Sequence, residues 1–234
     1  IVLDTGCSLF LTGKAGTGKT TFLRELCTKT SKRLIVTAPT GIAAINAGGM
    51  TLHSFFQLDF SPFVPGMRSG TQRSKAFSKE KIRIIRGLDL LVIDEVSMVR
   101  ADVLDAVDDV LRRFRDRSLP FGGVQLLLIG DLQQLPPVVV ESERHLIQSN
   151  YRSPYFFDSH ALQQLDYVTI ELKKVYRQND AYFVSLLNAV RDNRADAEAL
   201  ARLNQRYIPN FQPADEEGYV RLTTHNHSAN AINC

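Results

Sequence analysis

Gly13-Lys14-Ala15-Gly16-Thr17-Gly18-Lys19-Thr20 directly follows the short apolar run Leu9 to Leu11 and opens a helical pattern. The spacing is G-x-x-x-x-G-K-T. Its glycines let successive backbone N–H groups turn toward one centre with no Cβ in the way. The helix behind them adds unsatisfied donors and a partial positive charge, so the loop can cradle phosphate oxygens. A strand-loop-helix unit of this kind belongs to an α/β layer built on a parallel sheet. The plainer alternative is a glycine-rich turn carrying an exposed lysine. The full run Gly13, Ala15, Gly16, Thr17, Gly18, Lys19, Thr20 and Thr21 is the candidate nucleotide-binding segment for ATP, with Lys19 bridging the β- and γ-phosphates and the Thr20 hydroxyl offered to Mg²⁺.

Other apolar runs repeat the pattern. Leu34 to Val36 precedes Thr37-Ala38-Pro39-Thr40, Leu90 to Ile93 precedes Asp94-Glu95, and Leu126 to Ile129 precedes Gly130-Asp131. Runs of this length, bounded by turn residues, predict buried parallel strands. Between them Val103, Leu104, Val107, Val110, Leu111 and Phe114 share one helical face. Later segments predict a strand at 167–172, helices at 182–191 and 197–205, and a last strand at 219–222 before Thr223-Thr224-His225-Asn226. In open α/β sheets ligands sit beyond the carboxyl ends of the strands, where these polar residues fall.

The chain has 234 residues, long enough for one large domain or two small ones. With 44% hydrophobic and 23% charged residues it is ordinary globular material. No apolar run approaches the roughly 18 residues that span a bilayer, so no membrane role is expected. Net charge is only +3, but Arg68 to Arg86 holds seven basic residues and one acidic, a local +6. That cluster begins in a stretch, 57–80, whose prolines, glycines and Phe60, Phe63 and Phe77 break the α/β rhythm; the stretch reads as an insertion or as a solvated loop. Cys7, Cys27 and Cys234 lack metal-type or CxxC spacing, which points to free thiols in a reducing intracellular compartment. The chain begins at Ile1 without a signal pattern and is expected to be a piece of a longer protein.

Asp94 and Glu95 close a strongly apolar strand. Coupled to the phosphate loop, Asp94 suits Mg²⁺, directly or through water, and Glu95 suits deprotonation of an attacking water. Hydrolysis is then favoured over storage of nucleotide. Pro39-Thr40-Gly41 opens a second helix after a strand and can accept a backbone phosphate. Thr51, His53, Ser54 and Phe55 offer hydroxyl and imidazole donors beside aromatic faces, a mixture that grips sugar-phosphate and stacks bases. Phe55 and Phe56 have core packing as their alternative.

LTGKAGTGKTT, TAPTGIAA, GGMTLHSFF, LLVIDEVSMV and GDLQQLPPV stand in an order that resembles the PIF-type (petite-integration-frequency) DNA helicases, related to the RecD-like branch of helicase superfamily one. The charged helix and Pro120-Phe121-Gly122-Gly123 between the last two motifs resemble the signature that sets the PIF type apart. The resemblance covers nearly the whole chain. It implies a RecA-like P-loop NTPase domain over 1–172, a parallel sheet flanked by helices, with 57–80 as a small basic, aromatic insertion near the strand junction, and the start of a second RecA-like domain over 173–234. It implies an ATP-dependent translocase running 5′ to 3′ on single-stranded DNA, acting at forks or structured DNA in replication, repair or telomere maintenance, and monomeric.

The resemblance also implies residue roles. Gln134 matches a γ-phosphate sensor, and Arg177 in Val175-Tyr176-Arg177-Gln178 matches an arginine that neutralises the transferring phosphoryl group. His225 and Asn226 resemble a DNA-contacting turn. In the implied cycle, ATP draws Arg177 and Gln134 onto the γ-phosphate between two domains, hydrolysis through Glu95 releases them, and alternating grips become steps along the strand. Motifs expected before residue 1 and after Cys234 are absent, so the piece is expected to bind nucleotide weakly and to unwind nothing. Two rivals remain at this point: a P-loop kinase acting on a small acceptor, and an ATP-gated nucleic-acid-binding module that does not translocate.

Overall fold

The computed structural model describes residues 1–66, 77–178 and 180–233. These form two compact units, 1–184 and 185–234. The first is built on six strands: β1 (Ser8–Gly13), β2 (Leu34–Ala38), β3 (Met50–Thr51), β4 (Leu90–Ile93), β5 (Gln125–Gly130) and β6 (Tyr167–Leu172). All pair in parallel, in the order β3-β2-β4-β5-β1-β6. The helices are α1 (Lys19–Lys29), α2 (Gly41–Ala47), α3 (Leu52–Phe56), α4 (Lys79–Gly87), α5 (Ala101–Phe114) and α6 (Glu141–Asn150), followed by α7 (Ala181–Arg191).

The strand sequences explain the sheet's centre. Every residue of β4 is fully buried, and β5 is buried throughout. A strand covered on both faces cannot alternate polar and apolar residues, so it appears as a continuous aliphatic run. Each such side chain removed from water contributes about 1.5–3 kcal/mol. On one side of the sheet the core gathers Phe10, Leu91, Ile93, Leu126 and Leu128 with Leu104, Val107 and Leu111 of α5. On the other, Leu9, Leu11, Val92, Leu127 and Ile129 meet Leu23 and Leu26 of α1.

Pro120-Phe121-Gly122-Gly123 forms a tight turn with left-handed backbone at Phe121 (φ 53°) and Gly122 (φ 60°). Phe121 is fully buried, and its amide donates to Asp108 of α5. A Cβ on Gly122 would stand 2.9 Å from the Leu111 carbonyl oxygen, so the turn depends on glycine there. Arg115 ties this turn to α4: its guanidinium donates to the Gly122 carbonyl at 3.1 Å and to that of Arg86 at 2.6 Å.

The second unit carries the end of α7, then α8 (Ala197–Asn204) and α9 (Asn226–Asn233). The strand expected at 219–222 is not formed. Among the described residues no neighbouring strand pairs with it, and Val220 and Leu222 are exposed. Of the basic cluster, Arg68, Arg73 and Lys75 fall outside the described residues, while Lys79, Lys81, Arg83 and Arg86 ride on α4.

Candidate nucleotide and nucleic-acid site

Register fixes what leaves the sheet side by side. Thr12 pairs with Gly130, and Gly13 pairs with Leu172. The phosphate loop after β1, Asp131 to Gln134 after β5, and Val175 to Arg177 after β6 therefore emerge from one edge. Thr37 pairs with Ile93, and the Asp94 amide donates to the Thr37 carbonyl at 2.8 Å, so the Asp94-Glu95 pair leaves the same edge.

The loop adopts left-handed backbone at Gly16 (φ 77°) and Gly18 (φ 98°). A Cβ on Gly16 would lie 2.7 Å from the Cβ of Arg177, and the Tyr176 amide donates to the Gly16 carbonyl at 2.8 Å. Thr17 is buried, its hydroxyl donating to the Lys14 carbonyl at 2.8 Å. Lys19 Nζ donates to the carbonyls of Gly13 (2.5 Å) and Lys14 (3.1 Å), which draws the ammonium across the mouth of the loop. Helix α1 follows Gly18 with no side-chain cap and no acid in its first turn, so its leading amides are left for an anion. Thr20 and Thr21 are exposed in that turn, as is Ala15 in the loop. This donor set fits a nucleotide triphosphate.

Asp94 is buried and Glu95 half-buried. Burial pushes the Asp94 carboxyl up, against the Glu95 amide, which donates to Asp94 Oδ1 at 3.0 Å, and against the charge of Lys19. Burial also pushes Glu95 up, helped by the charges of Asp94 and Asp131 and opposed by Lys19. Glu95 has left-handed backbone (φ 52°, ψ 42°), costly for a residue with a Cβ and frequent where a side chain must be aimed. Together, Thr20 and Asp94 offer the oxygen ligands that Mg²⁺ favours. Gln134 is exposed, and its Nε2 donates to the buried Asp131 carboxylate at 3.0 Å.

The segments expected to meet DNA lie at the ends of β2 and β3. Thr40 caps α2, accepting from the Ala43 amide at 3.2 Å, beside half-buried Pro39 and exposed Gly41. Thr51 caps α3 in the same way through the Ser54 amide at 3.2 Å. Ser54 is exposed; His53 is half-buried and held below its ordinary value by burial first and then by Arg100. Phe55 corrects the sequence expectation. It is 1% exposed, edge-on to Phe56 at 4.7 Å with Lys81 Nζ 3.9 Å over its ring, and it offers no face to a base. An α-helical turn places two consecutive aromatics within reach of the same core, and here the sheet claims both. In the second unit, exposed His225 hydrogen-bonds Thr224 at 2.8 Å, and Asn226 opens α9.

One group has no local sequence signature. Arg100 forms a bidentate pair with buried Asp102, and its Nη1 reaches Glu143 at 2.6 Å. Asp102 also accepts from the Phe63 amide at 3.0 Å, anchoring the first limb of the inserted stretch to α5.

The model of the PIF1-like helicase family matches residues 1–199. The chain belongs to the PIF1-like helicase family. Among PIF1-like relatives, the ATP-dependent DNA helicase PIF1 of Homo sapiens is 38% identical over 85% of this chain and 29% of its own length. That of Saccharomyces cerevisiae is 36% identical over 83% and 22%. The crystal structure of a Bacteroides Pif1 helicase in complex with ADP-AlF3 and single-stranded DNA aligns at a TM-score of 0.92 and 40% identity, covering 99% of this chain and 53% of that one. The chain thus spans between a fifth and a third of these curated relatives and about half of the solved PIF1 chain.

Proposed function

We propose that this chain carries the ATP-hydrolysing, DNA-gripping part of a helicase that translocates 5′ to 3′ on single-stranded DNA, in replication, repair or telomere maintenance. The first RecA-like domain is assigned to 1–172, and a second is taken to begin at about 173. What supports this most is one geometric relationship: the strand register brings the glycine-built phosphate loop, with Lys19 across its mouth, and the Asp94-Glu95 pair to the same end of the sheet. The relatives named above as ATP-dependent DNA helicases, and the Bacteroides structure with ADP-AlF3 and single-stranded DNA, agree with it.

The loop amides and Lys19 bind the β- and γ-phosphates. Thr20 and Asp94 would hold Mg²⁺, which supplies charge neutralisation at the phosphates. Glu95 takes a proton from water, the water oxygen bonds to the γ-phosphorus, and the β–γ bridging oxygen leaves with ADP. Gln134, released from Asp131, senses the γ-phosphate, and Arg177 neutralises charge developing on it. Pro39, Thr40, Gly41, Thr51, His53 and Ser54, with His225 and Asn226, contact DNA; fork or structured DNA and a monomeric state complete the proposal. The test is ATP hydrolysis with and without single-stranded DNA. Stimulation by DNA fits a translocase, hydrolysis indifferent to DNA contradicts it, and phosphate transfer to a small acceptor would make it a kinase.

A further inference from the structure

Three phenylalanines of the inserted stretch have different surroundings. Phe77 packs edge-on against Phe114 of α5, centroids 5.1 Å apart. Phe63 is half-buried and fixed through its amide to Asp102. Phe60 is 85% exposed, yet it is placed: its ring lies parallel to the His53 imidazole at 5.1 Å with 12° between planes. An aromatic ring held flat and open by a second ring is a stacking platform with one face still available.

Phe60 and His53 line a cavity of about 830 Å³ between α3 and α5. Pro39, Thr51 and Ser54, nominated from sequence for DNA contact, line it too. Its charged lining is unsuited to phosphate. Asp102 is engaged with Arg100, and the lining also holds Asp59, Asp109 and Arg113, whose guanidinium leans on Phe114 at 5.2 Å. Two carboxylates against one guanidinium repel a polyanion but accept hydrogen bonds from the amino groups of a neutral base.

We propose that this cavity takes a nucleobase of the bound strand, stacked on Phe60 with its exocyclic amino group donating to Asp59 or Asp109. The site rests on the DNA-binding assignment above and adds a base-reading element to it. Cytosine, adenine and guanine carry such an amino group and thymine does not, so the site favours the first three.

The test is fluorescence anisotropy of the full chain on labelled oligo-dC, oligo-dT and an abasic strand of equal length. Phe60→Ala should weaken oligo-dC binding by about 5- to 150-fold, the range of base–aromatic stacking. It should leave abasic binding and the slope against log salt unchanged, because no phosphate contact is lost. Phe60→Trp should restore affinity, and Asp59→Ala with Asp109→Ala, which removes both acceptors, should abolish the preference for dC over dT. If the parent chain binds tightly but Phe60→Ala binds base-bearing and abasic strands just as the parent does, or if it lowers the salt slope, the base site is overturned while DNA binding stands. If the parent chain binds no single-stranded DNA, the DNA-binding assignment and the base site fall together.

Discussion

The Tyr176 amide donates to the Gly16 carbonyl at 2.8 Å, so the phosphate loop after β1 and the segment bearing Arg177 after β6 are joined main chain to main chain. Gly16 holds φ 77°, and a Cβ there would meet the Arg177 Cβ at 2.7 Å. Gly16→Ala therefore forces a left-handed alanine, costing about 1–2 kcal/mol, before any displacement of Arg177. Nucleotide affinity should fall about five- to thirty-fold in a titration with a fluorescent ATP analogue. Unchanged affinity would mean that the loop does not need this geometry.

The two charged residues at the loop mouth should separate binding from chemistry. Lys19→Ala removes the cation facing the phosphates, and both nucleotide binding and turnover should be lost. Glu95→Gln keeps the shape and a polar group but not the base. Nucleotide binding should persist while turnover falls by about 10²- to 10⁴-fold. Normal hydrolysis by Glu95→Gln would remove Glu95 from the mechanism.

Asp94 and Glu95 are raised chiefly by burial from ordinary values of 3.8 and 4.5. A carboxyl that holds its proton more tightly folded than unfolded adds stability below its unfolded value. That contribution is lost as pH rises through the raised folded value. Their ionised forms stand against the cost of burial, so Asp94→Asn or Glu95→Gln should raise the thermal midpoint more at pH 7 than near pH 4. Asp89 runs the opposite way. Arg33 holds it near a pKa of about 2, so its contribution is present above 3.8 and lost as pH falls through about 2. Asp89→Asn should lower the midpoint at pH 7, and the loss should shrink progressively as pH falls from 3.8 through about 2. Thermal melts across pH decide both signs.

Removing Asp102 would leave the Arg100 guanidinium, 12% exposed, without its bidentate partner and the Phe63 amide without an acceptor. Breaking a buried pair from one side costs about 3–5 kcal/mol. Asp102→Ala should shift the urea midpoint accordingly. A shift below about 1 kcal/mol would mean that the pair is solvated and does not anchor the inserted stretch.

Which of these features a linear reading can find follows from their range. Strands β4 and β5 are legible because full burial demands unbroken aliphatic runs. Strand β3 has two residues, too few for a pattern, and α6 has a charged sequence in which only Ile147 is buried. The expected strand at 219–222 has the right composition, but a strand also needs a partner. The phosphate loop, Asp94 and Glu95 are legible because their chemistry is packed into short spacings. The Gly16–Tyr176 bond, the Arg100–Asp102–Phe63 anchor and the Phe60–His53 stack depend on residues brought together by the sheet or on the path of an irregular loop. Phe55 shows the limit within one helical turn, where composition leaves both core and stacking surface open and packing decides.

The central claim is that a triphosphate in the loop and a strand at the neighbouring strand ends are energetically coupled. The most direct measurement is the affinity of Glu95→Gln for a fluorescent ATP analogue, with and without saturating oligo-dC, and the reciprocal affinity for DNA with and without the nucleotide. Coupling requires both to change by the same factor, about 5- to 150-fold for ordinary coupling free energies. Two affinities that ignore each other would contradict it.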